Sequence, residues 1–173
     1  MSERPNAVTV HGSPLTLVGN EVKAGDKAPD FEVLNNDLSP VKLSSYAGKV
    51  VVIAAVPSLD TPVCDMETRK FNQEATKLGD QVVILTISTD LPFAQKRWCG
   101  AAGVTNVVTL SDHRDTNFGL AYGLLIKELR LLARAVLVVD KSGKIRYMEL
   151  VKEVASEPNY EAALKAVDQS VAG

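Results

Sequence analysis

Cys64 closes the run Pro57-Ser58-Leu59-Asp60-Thr61-Pro62-Val63-Cys64, which lies between an apolar stretch (Val50 to Val56) and a helical pattern beginning at Val63. That order puts the thiol at the mouth of a helix. The unpaired backbone N–H groups there, with the positive end of the helix dipole, favour thiolate over thiol. A Thr-Pro turn at a helix mouth is a poor place to hide an inert cysteine, so Cys64 reads as a reactive sulfur. The chain has one other cysteine, Cys99. The residue three after Cys64 is Glu67, which excludes a Cys-x-x-Cys dithiol, and the wide separation excludes a zinc knuckle. His11 and His113 stand at no ligand spacing, so neither a metal nor a cofactor is expected.

The chemistry that remains is a thiolate that becomes oxidised and a partner thiol that resolves the product. A thiolate attacking the weak O–O bond of a peroxide becomes a sulfenic acid, and a second thiol condenses with it to a disulfide, releasing water. Such a site needs positive charge beside the sulfur, donors for the peroxide oxygens and a wall against water. Thr61 precedes Cys64 by one turn, which can fold its hydroxyl towards the sulfur. Pro57 and Pro62 stiffen the loop and limit solvent. Arg134, at the start of an apolar strand, can supply the cation, and a buried guanidinium requires a partner. Taken alone, Cys99 beside Trp98 reads equally as the partner thiol or as an inert apolar residue. Arg69 reads as an exposed helix charge, with an orienting role towards Asp60 or Cys64 as the alternative. Trp98, Phe93 and Tyr46 read as core or interface residues, and His113 and Arg114 beside two aspartates as a solvated loop.

The elements that must position these residues follow from periodicity and turn signals. Val8–Val10 and Leu15–Val18 around His11-Gly12-Ser13-Pro14 read as an N-terminal hairpin. Glu32–Leu34 reads as a short strand and Leu43–Gly48 as a helical turn. Lys49–Val56 is a strand buried on both faces, as in a parallel sheet. Val63–Leu78, with Phe71, Ala75 and Leu78 on one stripe, is a helix closed by Gly79. Gln81–Ser88 completes a βαβ unit. A helix over Pro92–Ala101 carries Cys99, Val104–Leu110 is a short strand, and Asp115–Tyr122 a further helix. Arg134–Asp140 and Lys144–Val151 are strands joined by Asp140-Lys141-Ser142-Gly143. A helix from Asn159 to Val171 ends the chain. The fold class is α/β, a thioredoxin-like fold with a central mixed sheet flanked by helices and an N-terminal β-hairpin. One domain over residues 1–173 is expected, since no linker or repeat divides the chain.

The Pro57-to-Cys64 segment followed by Arg69-Lys70-Phe71-Asn72 resembles the peroxidatic signature of peroxiredoxins, and within them the bacterial thiol peroxidases of the atypical two-cysteine class. The resemblance continues through Arg97-Trp98-Cys99-Gly100, Leu110-Ser111-Asp112, Phe118-Gly119, Tyr122-Gly123, Leu132-Ala133-Arg134-Ala135-Val136 and Glu157-Pro158-Asn159-Tyr160. It covers nearly the whole chain. It implies Cys64 as the peroxidatic and Cys99 as the resolving cysteine, joined in a disulfide within one subunit. It further implies Thr61 and Arg134 as activators and Pro57 as a shield. Position 69 holds arginine, which departs from the bacterioferritin-comigratory type, where a resolving cysteine often lies. The resemblance implies a homodimer, thioredoxin as reductant, and hydrogen peroxide and alkyl or lipid hydroperoxides as substrates.

Bulk properties set the function classes aside that the motif does not address. A net charge of −2 provides no basic field for nucleic acid or anionic lipid. The longest apolar runs are too short to span a bilayer, so no membrane association is expected. MSERPNAVTVHG has no apolar signal region, and a cytoplasmic location is expected, where cysteines serve redox chemistry more often than permanent staples. A single-turnover redox sensor or holdase, and a thioredoxin-like module with inert cysteines, are the competing readings.

Overall fold

Val50–Ala55 is apolar at every position and buried at every position, the mark of a strand covered on both faces. The rest of the chain is arranged around it in a computed structural model that describes residues 2–173. In chain order the strands are β1 (Glu3–Val10), β2 (Ser13–Val18), β3 (Glu32–Leu34), β4 (Pro40–Lys42), β5 (Val50–Ala55), β6 (Val82–Ser88), β7 (Val108–Ser111), β8 (Leu125–Ile126), β9 (Ala135–Val139) and β10 (Ile145–Leu150). The helices are α1 (Pro62–Leu78), α2 (Pro92–Ala102), α3 (Asn117–Tyr122) and α4 (Tyr160–Ala172), with a 3₁₀ turn at Leu43–Tyr46.

Seven strands form one mixed sheet in the order β10-β9-β5-β6-β7-β3-β4. β5, β6 and β7 run parallel, while β9 is antiparallel to both β5 and β10. The even residues of β5 (Val50, Val52, Ala54) pack with Phe71 of α1, Trp98 of α2 and Ala163 and Val167 of α4. The odd residues (Val51, Ile53, Ala55) pack with Phe31 and with Phe118 and Tyr122 of α3. Alternation along one strand thus builds two apolar layers. This is the expected thioredoxin-like arrangement.

The N-terminal hairpin turns at His11 (φ 49°) and Gly12 (φ 81°). Two successive positive φ values are those of a type I′ turn, whose twist suits a two-residue hairpin. β1, β2 and β8 form a separate three-stranded antiparallel sheet in that order, β2 pairing with both of the others. That sheet is tied to the segment after β10: Thr9 N–H donates to the Lys152 carbonyl and Val154 N–H to the Thr9 carbonyl, each at 2.8 Å.

Several boundaries differ from the sequence reading. The strand expected over Val104–Leu110 occupies Val108–Ser111. Val104 N–H instead closes the end of α2 on the Cys99 carbonyl, and Asn106 N–H donates to the Asn72 side chain, so neither is available to a ladder. α3 begins at Asn117 rather than Asp115, because Thr116 sits in the left-handed region (φ 47°). Trp98 is buried, whereas Phe93 is 64% exposed. Asp112, expected in a solvated loop, is buried and accepts the Phe118 and Gly119 N–H groups at 2.9 and 2.8 Å, capping α3. Burial pushes its carboxyl up to about 6, against those hydrogen bonds. The short strands β4 and β8 were not anticipated.

Candidate active site

Cys64 lies in the first turn of α1, just beyond the carboxyl end of β5, where parallel strands of open α/β sheets present their functional groups. Pro62 occupies the first helical position, which its missing N–H does not penalise. The thiol is fully buried, and Arg134 Nη2 donates to its sulfur at 3.2 Å. Arg134 directly precedes β9, whose Ala135 pairs with Ala55 of β5, and this register delivers the guanidinium to the helix mouth. Its other donors are fixed as well. Nε donates to the Val154 carbonyl at 2.9 Å and Nη1 to Glu67 Oε2 at 2.6 Å. Because Val154 is itself held by Thr9, the N-terminal hairpin buttresses the arginine.

Burial works against the Arg134 charge, but attraction to Cys64 and Glu67 outweighs it and raises the guanidinium further above its ordinary range. Burial pushes the Glu67 carboxyl up to about 7, and Arg134 offsets only part of that. Glu67 Oε1 has no hydrogen-bond partner among the described residues, which adds to the cost of ionising it. The cation is therefore shared between a sulfur and a carboxyl that is half-titrated near neutrality.

Thr61 occupies the N-cap position without capping the helix through its side chain. Its hydroxyl, expected to turn towards the sulfur, donates instead to the Ser58 carbonyl at 2.9 Å. The proton is thereby pinned and the oxygen's lone pairs are free to accept. Pro57 is buried and Pro62 exposed, so only the first can exclude solvent. The loop between them is held by Asp90, which accepts from Ser58 Oγ at 2.7 Å, Leu59 N–H at 2.8 Å and Ser88 Oγ at 2.7 Å. Arg69 pairs with Asp65, not with Asp60 or Cys64.

Cys99 is not brought to this cluster. Neither sulfur is in a disulfide, and Cys99 Sγ lies half-buried, 3.4 Å from Thr109 Oγ1 on β7. Cys64 follows β5, while Cys99 lies against β7, with β6 between them. At about 4.8 Å per strand that is about 10 Å, whereas a disulfide requires Cα atoms within about 7 Å.

Glu67 and Asp90 were missed from the sequence. Glu67 had a signal: positions 64, 67, 68 and 71 are all buried and share one helical face, so the Phe71 stripe extended back one turn contains it. Asp90 had none, because the Ser58 and Leu59 groups through which it holds the loop lie 32 and 31 positions away in the chain.

The family model described as Redoxin matches residues 23–164. A thiol peroxidase of Halalkalibacterium halodurans is 59% identical over 160 residues, covering 92% of this chain and 96% of that protein. The chain belongs to the thiol peroxidases of the redoxin family. A thiol peroxidase of Bacillus subtilis is 58% identical, covering 92% of this chain and 95% of that protein. The crystal structure of a peroxiredoxin-like protein from Aquifex aeolicus superposes with a TM-score of 0.89 at 42% identity, covering 95% of this chain and 96% of that one. Family membership fixes the class of chemistry, and the geometry above bears on how each residue takes part.

Proposed function

We propose that the protein reduces hydrogen peroxide and organic hydroperoxides through Cys64, with Cys99 as the resolving thiol. The observation that carries the reading is the 3.2 Å contact from the buried Arg134 guanidinium to the Cys64 sulfur. A charge-assisted donor at that distance stabilises the thiolate, which is the attacking species. The thiolate attacks the terminal oxygen of R–O–O–H. An S–O bond forms, the O–O bond breaks, and R–O⁻ leaves and takes up a proton. Arg134 donors sit where negative charge spreads over the two oxygens, so they act most strongly in the transition state. Thr61, its own proton given to Ser58, accepts the hydroperoxide O–H and orients it. Pro57 shields the sulfur from water.

The product is the Cys64 sulfenic acid. Cys99 sulfur attacks it, the S–S bond forms, the S–O bond breaks and water leaves. The separation of the two sites means that the first turn of α1 and part of α2 must unwind locally for this step. A dithiol of the thioredoxin class then reduces the disulfide, and the half-exposed side of Cys99 gives it access. Leu91 (51% exposed) and Phe93 (64% exposed) flank the start of α2 beside the Asp90-held loop. A second copy of the chain is the occupant that would complete a homodimer there. Residues 1–173 act as one domain in this reading, in the cytoplasm, where Cys64 stays reduced between turnovers. No helix among the described residues is long and apolar enough to cross a membrane.

The test is peroxide consumption coupled to thioredoxin, its reductase and NADPH. Many turnovers per subunit are expected with hydrogen peroxide and with cumene hydroperoxide. Consumption of one equivalent and no more would make the protein a sensor.

A further inference from the structure

Joining Cys64 to Cys99 requires α2 to loosen from α1, and the contacts that hold them are specific. Arg69 and Asn72 stand three residues apart on α1, hence on neighbouring positions of one face. Arg69 Nη1 donates to the Ala102 carbonyl at 3.3 Å, and its guanidinium lies 5.7 Å from the centre of the Trp98 ring. Its Nε pairs with Asp65, one turn back on α1. Asn72 Oδ1 accepts the Asn106 N–H at 2.7 Å.

Ala102 ends α2, so its carbonyl has no helical donor and lies at the negative end of the dipole. Gly103 turns the chain in the left-handed conformation (φ 68°, ψ 26°) and donates its N–H back to the Cys99 carbonyl. α1 therefore grips α2 on both sides of Cys99, at the ring of residue 98 and the carbonyl of 102, and holds the segment after α2 at the amide of 106. None of these contacts involves the Cys64 sulfur, Arg134 or Thr61.

We propose that Arg69, with Asn72, is a positioning residue for the disulfide-forming step. It is a latch that keeps α2 wound around Cys99 and sets how often Cys99 is released to the Cys64 sulfenic acid. The proposal rests on the roles given to the two cysteines above. The pair with Asp65 alone is exposed and contributes little, but the same guanidinium spans two helices. A slower release lengthens the life of the sulfenic acid. A second hydroperoxide can then transfer an oxygen to it, leaving as the alcohol and forming the sulfinic acid.

Arg69→Met keeps an aliphatic stem against Trp98 while removing charge and donors, Arg69→Lys keeps the charge, and Asn72→Ala removes the second contact. Trp98 is the only tryptophan and adjoins Cys99, so its fluorescence reports the helix carrying the thiol. The reduced full chain is mixed with hydrogen peroxide, and stopped-flow fluorescence with acid-quench mapping separates oxidation from disulfide formation. The oxidation rate is expected to stay within about twofold of wild type. Losing one cation–π contact and one exposed hydrogen bond should speed the disulfide step about three- to tenfold in Arg69→Met. Arg69→Lys should fall between, and amides 99–106 should exchange faster while global stability changes little. Less sulfinic acid should accumulate at high peroxide. A disulfide step that is unchanged or slower in both Arg69→Met and Asn72→Ala, with the Cys64–Cys99 bond forming normally in wild type, overturns the latch alone. Absence of that bond in wild type overturns the cysteine assignment and the latch with it.

Discussion

Replacing Glu67 by glutamine should flatten the pH dependence of stability. Two effects compete at this carboxyl: burial opposes its ionisation, and Arg134 at 2.6 Å favours it. Burial wins, carrying the group from 4.5 to about 7. A carboxyl raised in the folded state binds its proton more tightly there than in the unfolded chain. Its contribution to stability is full below 4.5 and is lost as pH rises through about 7. The shift corresponds to about 3 kcal/mol, of which about 2–3 kcal/mol falls between pH 5 and pH 8. Glutamine has the same shape and does not titrate, so the variant should lack this loss. Urea unfolding of both reduced proteins at pH 5 and pH 8 gives the double difference, in which other titrating groups largely cancel. Relative to wild type, Glu67→Gln should gain about 2–3 kcal/mol at pH 8 over its value at pH 5. An equal pH response in the two proteins, or a relative loss at pH 8, would show that pairing with Arg134 prevails and that Glu67 is ionised throughout.

Three further outcomes are expected. Arg134→Ala should slow Cys64 oxidation about 10²–10³-fold, the cost of removing a transition-state donor, and an unchanged rate in stopped-flow assays would remove Arg134 from the mechanism. Thr61→Val keeps the branched shape but loses the acceptor oxygen. It should slow peroxide reduction about 10- to 100-fold, within the range for a single positioned group, while iodoacetamide alkylation of Cys64 changes far less; equal losses in both would make Thr61 merely structural. Cys99→Ser should consume one equivalent of peroxide at the wild-type rate and then hold a dimedone-reactive sulfenic acid. Sustained turnover with thioredoxin would contradict its resolving role.

Much of the site was legible because its chemistry is local or breaks a pattern. Cys64 declared itself by lying between a doubly buried strand and a proline-started helix, and Arg134 by placing a charge at the head of an apolar strand. The long elements followed from periodicity. What the sequence hid was long-range or too short to be periodic. Asp90 reaches back to Ser58 and Leu59, and nothing in either segment announces the other. Glu67 was overlooked because a charged helix residue ordinarily faces water, although its position on the Cys64–Phe71 face marked it as buried. The direction of the Thr61 hydroxyl depended on which acceptor the turn offered, and the turn offered the Ser58 carbonyl. β4 and β8 have three and two residues, too few for alternation to register. Asp112 looked like one of several loop charges until α3 supplied two N–H groups for it to cap.

The most direct test of the account follows the order of events at the two sulfurs. Reduced protein is mixed with one equivalent of hydrogen peroxide, quenched at millisecond intervals in acid with dimedone trapping, digested and mapped by mass spectrometry. The adduct should appear first on Cys64 alone and then decay as a Cys64–Cys99 disulfide peptide grows at the same rate. Modification of Cys99 before Cys64, or loss of the Cys64 adduct without that disulfide, would contradict it.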